Sequence, residues 1–151
     1  MTTHAATFDS SGEKRSLYWA GATPYVVLAG RILFSLIFVV ASLGHFARGT
    51  IQYAASHGVP FAGVLVPLSG ALALVGGLSV LVGYRAKVGA WLIVLFLVPV
   101  TLTMHAFWAA SDPMMMQVQQ AMFMKNLSML GGALLLLYFG AGPFSLDEPG
   151  R

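Results

Sequence analysis

Hydrophobic residues are concentrated in four long stretches that fill most of the chain between residues 25 and 140. Each stretch is nearly free of charged side chains, and each approaches or exceeds the ~20 apolar residues that a helix needs to cross the hydrocarbon layer of a bilayer. The connections between the stretches are short. The pattern therefore predicts four membrane-spanning helices, over residues 25–43, 59–82, 88–108 and 121–140.

These stretches predict an all-α fold, an integral membrane four-helix bundle. A soluble bundle would show a polar face on every helix, whereas residues 59–82 carry no charge at all. Charged residues make up 9% of the chain, against ~25% in a typical soluble domain. The predicted domains are a disordered cytoplasmic tail over residues 1–20, the transmembrane domain over 21–147, and a C-terminal tail over 148–151.

The positive charges are distributed unequally between the two ends of the predicted bundle. One end holds the N-terminus, the middle connection and the C-terminus, with Lys14, Arg15, Arg85, Lys87 and Arg151, while the other end has Arg48 and Lys125. Because Lys-rich and Arg-rich loops stay in the cytoplasm, both termini are predicted to be cytoplasmic. The same distribution explains the net charge of +3 without any nucleic-acid partner.

Arg31 lies within the first hydrophobic stretch, where a charge is costly. Its presence, and a stretch of about 19 residues, favour a retained helix over a cleaved signal peptide. We expect its side chain to extend along the helix to the cytoplasmic face.

Small residues and helix caps give further local predictions. The second span has small residues at helical spacing on one face, and the fourth has Ser128 and Gly132 four residues apart, so both spans are expected to pack closely against a neighbour. Asp112 followed by Pro113 has the pattern of a helix N-cap and first helical position.

Polar and ionisable residues gather at the predicted external end, and such residues are functional candidates in a membrane protein. In an antiparallel bundle this end receives His45, Arg48, His57, His105, Asp112, Lys125 and Asn126. If the third helix continues to residue 108, Thr101, His105 and Trp108 form one stripe at positions i, i+4 and i+7.

This cluster suits a polar head group at the membrane border. Histidine and asparagine can donate to quinone carbonyls, an indole can pack on the ring, and histidine can transfer a proton near neutral pH. We therefore predict a quinone-binding site formed by His105, Trp108, Lys125 and Asn126, with no catalytic residue, no covalent cofactor and no metal.

Three of the four residues of this site also have a structural interpretation. His105, like His45 and His57, can simply hydrogen-bond a neighbouring helix, and Lys125 can extend its amine to the head groups. Asn126 can join two helices through an interhelical hydrogen bond. The sequence leaves these alternatives open.

Several short motifs, in this order and spacing, resemble the DoxX family of small four-helix membrane proteins. They are Gly30-Arg31-Ile32-Leu33-Phe34, Gly58-Val59-Pro60, Leu74-Val75-Gly76-Gly77-Leu78, Thr103-Met104-His105-Ala106-Phe107-Trp108, Phe123-Met124-Lys125-Asn126-Leu127-Ser128 and Gly140-Ala141-Gly142-Pro143-Phe144-Ser145-Leu146-Asp147. The resemblance implies the bacterial cytoplasmic (inner) membrane and a subunit of a thiosulfate:quinone oxidoreductase. Ala73 stands where that family often carries a glutamate.

The main functional hypothesis is therefore an accessory membrane subunit of a quinone-linked oxidoreductase, which would bind quinone and a redox partner subunit rather than act alone. Two alternatives remain. A small transporter or lipophile-binding protein would use the same pocket without a redox partner. A membrane assembly or stress scaffold would need only the small-residue faces and homo- or hetero-oligomeric contacts.

Overall fold

The described part of the chain contains five α-helices, and four of them are long and apolar enough to cross a membrane. The computed structural model describes residues 10–147, with side chains from residue 24 onward, and no strand occurs in that part of the chain. The helices are α1 (Ser10–Ser42), α2 (Arg48–Ser56), α3 (Ala62–Val82), α4 (Ala86–Met104) and α5 (Pro113–Phe139), with 3-10 turns at Leu43–Phe46 and Phe107–Ala109. The predicted all-α membrane bundle is confirmed.

The first helix begins earlier than its hydrophobic stretch. The backbone of α1 is helical from Ser10, so residues 10–20 of the predicted tail belong to a helix. The remaining tail predictions, over residues 1–9 and 148–151, lie outside the described residues. The cytoplasmic location of both termini stays a prediction.

The third helix of the chain, α3, lies between α1 and α4 and contacts both through glycines. A Cβ atom at Gly76 would lie 2.8 Å from the carbonyl oxygen of Gly89 on α4. A Cβ atom at Gly77 would lie 3.0 Å from the Cβ of Phe38 on α1. The expected small-residue face of this span is therefore confirmed, because only hydrogen atoms at these positions let the backbones approach so closely.

The fifth helix packs on α4, and one of its glycines meets an aromatic side chain of α1. Gly132 accommodates the ring of Phe34, whereas Ser128 is exposed and bonds the Met124 carbonyl of its own helix. Only half of the expected Ser128–Gly132 contact face is thus used. The predicted cap is confirmed, since Asp112 accepts a 2.8 Å hydrogen bond from the backbone N–H of Met115.

Arg31 extends to the end of the bundle that was predicted to be cytoplasmic, but it is buried there rather than exposed. Only 3% of the residue is exposed, and its guanidinium donates hydrogen bonds to the carbonyl oxygens of Ala141, Pro143 and Phe144. Its charge is satisfied by backbone carbonyls of the segment over residues 140–147, which we call the C-terminal strap. These hydrogen bonds offset the cost of burying the charge. The acceptors come from a distant part of the chain.

The C-terminal strap also closes the turn between α3 and α4. Asp147 accepts hydrogen bonds from the backbone N–H groups of Arg85 (2.7 Å) and Ala86 (2.8 Å), at the start of α4. Its own N–H donates to the carbonyl of Gly83. The strap therefore joins α1, α3 and α4 at one end of the bundle, which we call the strap end; the opposite end, which carries α2, is the α2 end.

Candidate ligand-binding cavity

A cavity of about 460 Å³ lies at the α2 end, between α2, α3 and α4. Small-molecule sites commonly measure ~300–1,000 Å³, so the space is large enough for a ligand. Thr50 and Ala54 of α2 line one side of it, and residues 57–60 of the following loop line the rim. His45, from the 3-10 turn after α1, completes this side.

The opposite walls come from two spanning helices. From α3 they include Leu65, Leu68, Ser69 and Leu72, which recur at the three- and four-residue spacing of one helical face. From α4 they include Leu95 and Pro99, which lie one turn apart on the helix. The walls are mainly hydrocarbon, and none of the residues that the structure places around the cavity is Asp, Glu, Lys or Arg.

Two lining hydroxyl groups are already occupied by their own helices. Ser69 donates to the carbonyl of Val66 at 2.7 Å, and Thr103 donates to the carbonyl of Pro99 at 2.8 Å. Their protons are not available to a ligand. The side-chain polar groups left to meet one are Thr50 and the two imidazoles.

His45 is held in place from three directions. Its Nδ1 lies 3.1 Å from the carbonyl oxygen of Ala41, one turn earlier. Its ring meets the ring of Phe96 edge-on, with centroids 5.5 Å apart. On the third side is Gly70 of α3, where a Cβ atom would come within 2.5 Å of the Cβ of His45. The imidazole is half-buried and has a fixed orientation.

His57 lies at the rim and is more exposed than His45. Its Nδ1 is 2.8 Å from the carbonyl oxygen of Tyr53, and its ring packs on the Tyr53 ring at a centroid distance of 4.1 Å. It caps the C-terminus of α2 in this way. The end of α2 and the cavity rim are thus fixed by the same side chain.

The cavity reaches the outer surface of the spanning helices. Leu68 of α3 and Leu95 of α4 both line it, and they are 51% and 55% exposed. Exposure of apolar side chains costs little in a bilayer, because the surrounding lipid is as apolar as they are. A hydrophobic molecule could therefore enter from the bilayer rather than from water.

The four predicted site residues do not line this cavity. Asn126 is 4% exposed and donates from Nδ2 to Thr101 Oγ1 at 3.0 Å, an interhelical bond between α5 and α4. His105 Nδ1 lies 2.8 Å from Gln119 Oε1, a second bond between the same two segments. These two residues match the structural interpretation that the sequence left open.

Trp108 and Lys125 are on the outer side of the same region. Trp108 stands in a 3-10 turn and packs edge-on against Phe123, with centroids 5.8 Å apart. Lys125 is exposed, with its amine 3.4 Å from the sulfur of Met122. As a binding site, the set of four stays a prediction, and the structure does not gather it around a cavity.

The predicted stripe on the third span is wrong. The helix α4 ends at Met104, and His105 has φ −122° and ψ 37°, outside helical values. Positions 101, 105 and 108 therefore do not share a helical face. Of the wider cluster, His45 and His57 do meet at one cavity, while Arg48 and Asp112 do not line it.

Most of the cavity walls carried no recognisable signal in the sequence. Leucines at helical spacing are typical of any membrane span, so the cavity face of α3 cannot be told from its lipid face by residue type. Two residues in the sequence pointed to the cavity. Ser69 is a small residue and Pro99 is a kink-forming residue, and they lie at the same depth of neighbouring spans.

The fold and the cavity define a small multi-pass helical membrane protein with an apolar chamber near one membrane surface. A sequence profile of the SURF4 family matches residues 15–151, and the chain belongs to that family. No solved structure matches it.

Two similar proteins come from Escherichia coli (strain K12). Inner membrane protein YqjF is 36% identical over 124 residues, 81% of this chain and 89% of that protein. Inner membrane protein YphA is 27% identical over 136 residues, 86% of this chain and 94% of that protein. With its four spanning helices, the chain is accordingly a multi-pass protein of the bacterial inner membrane.

A eukaryotic relative is much longer. The Surfeit locus protein 4 homolog of Schizosaccharomyces pombe is 30% identical over 125 residues, 82% of this chain but only 37% of that protein. The chain thus spans about a third of that relative.

These matches overturn the resemblance to the DoxX family and the oxidoreductase hypothesis that rested on it. The motifs quoted for the resemblance have general structural roles here. Gly76 and Gly77 allow close helix contacts, and the last motif forms the C-terminal strap. Any compact four-helix membrane bundle has such requirements, so the motifs did not identify a family, a quinone or a redox partner.

Proposed function

We propose that this protein binds a lipophilic small molecule in the cavity at the α2 end. The observation that carries the proposal is an apolar chamber of about 460 Å³ whose walls extend to the lipid-facing surface of α3 and α4. Ligand sites of proteins are typically concave, mainly apolar and furnished with few polar groups. The cavity has these three properties.

The surroundings of the cavity favour binding over a purely structural role. The core of the bundle contains Ala73, Val80, Ile93 and Leu97, all almost completely buried. Close packing of that kind is the norm, and unfilled space costs stability. A chamber left open beside such a core is consistent with a site that a ligand fills.

One side of the cavity is formed by the separate short helix α2. Ala54 of α2 packs against Ala62 and Val66 of α3, and Ile51 adds to this contact. The contact is small, and it joins an element outside the membrane spans to the cavity wall. A ligand in contact with both α2 and the spans fits a carrier or transporter as well as a binding protein.

A cavity-filling variant tests the proposal. Ser69→Phe places a ring in the chamber, whereas Val75→Phe adds the same ring to the exposed face of the same helix. The full chain in lipid nanodiscs would be photolabelled with a long-chain alcohol that carries a diazirine. We expect Ser69→Phe to lose labelling of cavity residues and Val75→Phe to keep it. Equal labelling of both variants would reject the cavity as a site.

A further inference from the structure

The two cavity histidines have the same kind of local hydrogen-bond partner. In each ring, Nδ1 faces a backbone carbonyl oxygen four residues earlier, of Ala41 for His45 and of Tyr53 for His57. A carbonyl oxygen only accepts hydrogen bonds, so Nδ1 must carry the proton and donate it. In the neutral imidazole, the other nitrogen, Nε2, is then an acceptor.

Backbone donors at the rim are already used. The N–H groups of His57, Gly58 and Val59 donate to carbonyls of α2, and Pro60 has no N–H. Together with the occupied hydroxyl protons of Ser69 and Thr103, this leaves the chamber rich in acceptors. Among the side chains that the structure places around the cavity, Thr50 has the one hydroxyl proton not given to a carbonyl.

The charge of the lining limits the ligand further. A buried carboxylate or phosphate needs a cationic partner, and no Lys or Arg lines the chamber. An ammonium group needs an anion, and no Asp or Glu lines it either. An uncharged head with a hydrogen to donate fits both restrictions.

We infer that the ligand is an uncharged long-chain amphiphile with a hydroxyl head, which donates to Nε2 of His45 or His57 while its hydrocarbon body fills the space between α3 and α4. This inference rests on the proposed function and adds the chemical class of the ligand. Phospholipids and fatty acids, which carry charged heads, are disfavoured by the same groups.

A series of competitors with one alkyl chain tests the head group. Decanol, decyl methyl ether and decanoate would compete with the photoreactive alcohol for the full chain in nanodiscs. They would be compared at equal mole fractions in the bilayer. We expect decanol to protect roughly three- to tenfold better than the ether, the factor that one ordinary hydrogen bond provides.

Variants assign the preference to the histidines. His45→Phe and His57→Phe should reduce the advantage of decanol over its ether, and the double variant should abolish it. His105→Phe serves as the matched control, because His105 lies at the same end of the bundle but outside the chamber. This control should keep the full advantage.

The outcomes separate the inference from the proposed function. Equal protection by decanol and the ether, or stronger protection by decanoate, overturns the inference while the cavity remains a binding site. An advantage that survives in the double histidine variant also overturns it. If none of the three compounds protects, the proposed function itself fails.

Discussion

Gly70 of α3 and His45 lie so close that a methyl group on Gly70 would come within 2.5 Å of the Cβ of His45. The carbonyl oxygen of Ser42 is 3.2 Å from the same point, so the backbone before His45 would also be displaced. The position of one cavity imidazole therefore depends on the absence of a side chain on a neighbouring helix.

Gly70→Ala should consequently weaken ligand binding, because the added methyl group displaces His45. Alanine itself favours a helix by up to ~1 kcal/mol over glycine, so any loss must come from the clash. Photolabelling of the cavity by the diazirine alcohol measures binding. Gly63→Ala on the same helix is the control, because nothing lies within 4 Å of its added methyl, and it should bind normally. Equal labelling of the two variants would contradict the clash.

Arg31→Met should destabilise the bundle by roughly 2–4 kcal/mol, because three carbonyls of the C-terminal strap lose a charged donor. Arg31→Lys should recover only part of this, since an ammonium group lacks the planar fork of a guanidinium. Thermal unfolding in detergent measures stability, and limited proteolysis measures release of the strap. Two variants that both melt like the wild type would be inconsistent with the observed contacts.

Asp147→Ala should lower stability by about 0.5–2 kcal/mol, as expected for loss of a helix cap. The carboxylate accepts two backbone N–H groups at the start of α4, whereas Asp112 accepts one at the start of α5. Asp147→Ala should therefore lower stability at least as much as Asp112→Ala does. Asp147→Asn should lower stability less than Asp147→Ala, because an amide keeps one acceptor oxygen. The three melting temperatures, measured in one detergent, check this order.

Asn126→Leu should cost about 0.6–1.7 kcal/mol, the range for hydrogen bonds between membrane helices. Because Asn126 bonds Thr101, a double-mutant cycle with Thr101→Val should show coupling of similar size. Lys125→Ala, at the exposed neighbouring position, should leave stability unchanged. Additive effects of the two core substitutions would mean that this hydrogen bond contributes nothing.

The spans could be predicted from sequence because the bilayer imposes their length and hydropathy, whatever their neighbours are. The end of α4 could not, since Met104-His105-Ala106 contains neither glycine nor proline to mark it. The stripe through Trp108 assumed a continuous helix and failed for that reason. A helical face can be extrapolated only as far as the helix itself continues.

The site was harder to predict than the spans. A cavity depends on the distances between α2, α3 and α4, and leucines that line a chamber look like leucines that face lipid. His45 and His57 were correctly grouped at one end, but His105 and Asn126 were grouped with them although each forms a hydrogen bond between the α4 and α5 segments instead. The partners of Arg31 were invisible in the sequence, because they are more than a hundred residues away.

That separation has a consequence for how the protein is made. Ribosomes synthesise α1 first, so Arg31 reaches the membrane when the carbonyls that will satisfy it, 110 to 113 residues later, do not yet exist. Until then its charge must remain near water or head groups, and α1 cannot take its final depth. We therefore expect docking of the C-terminal strap to come late in assembly, and a nascent chain that stalls before residue 141 to keep a first helix that can still move in the bilayer.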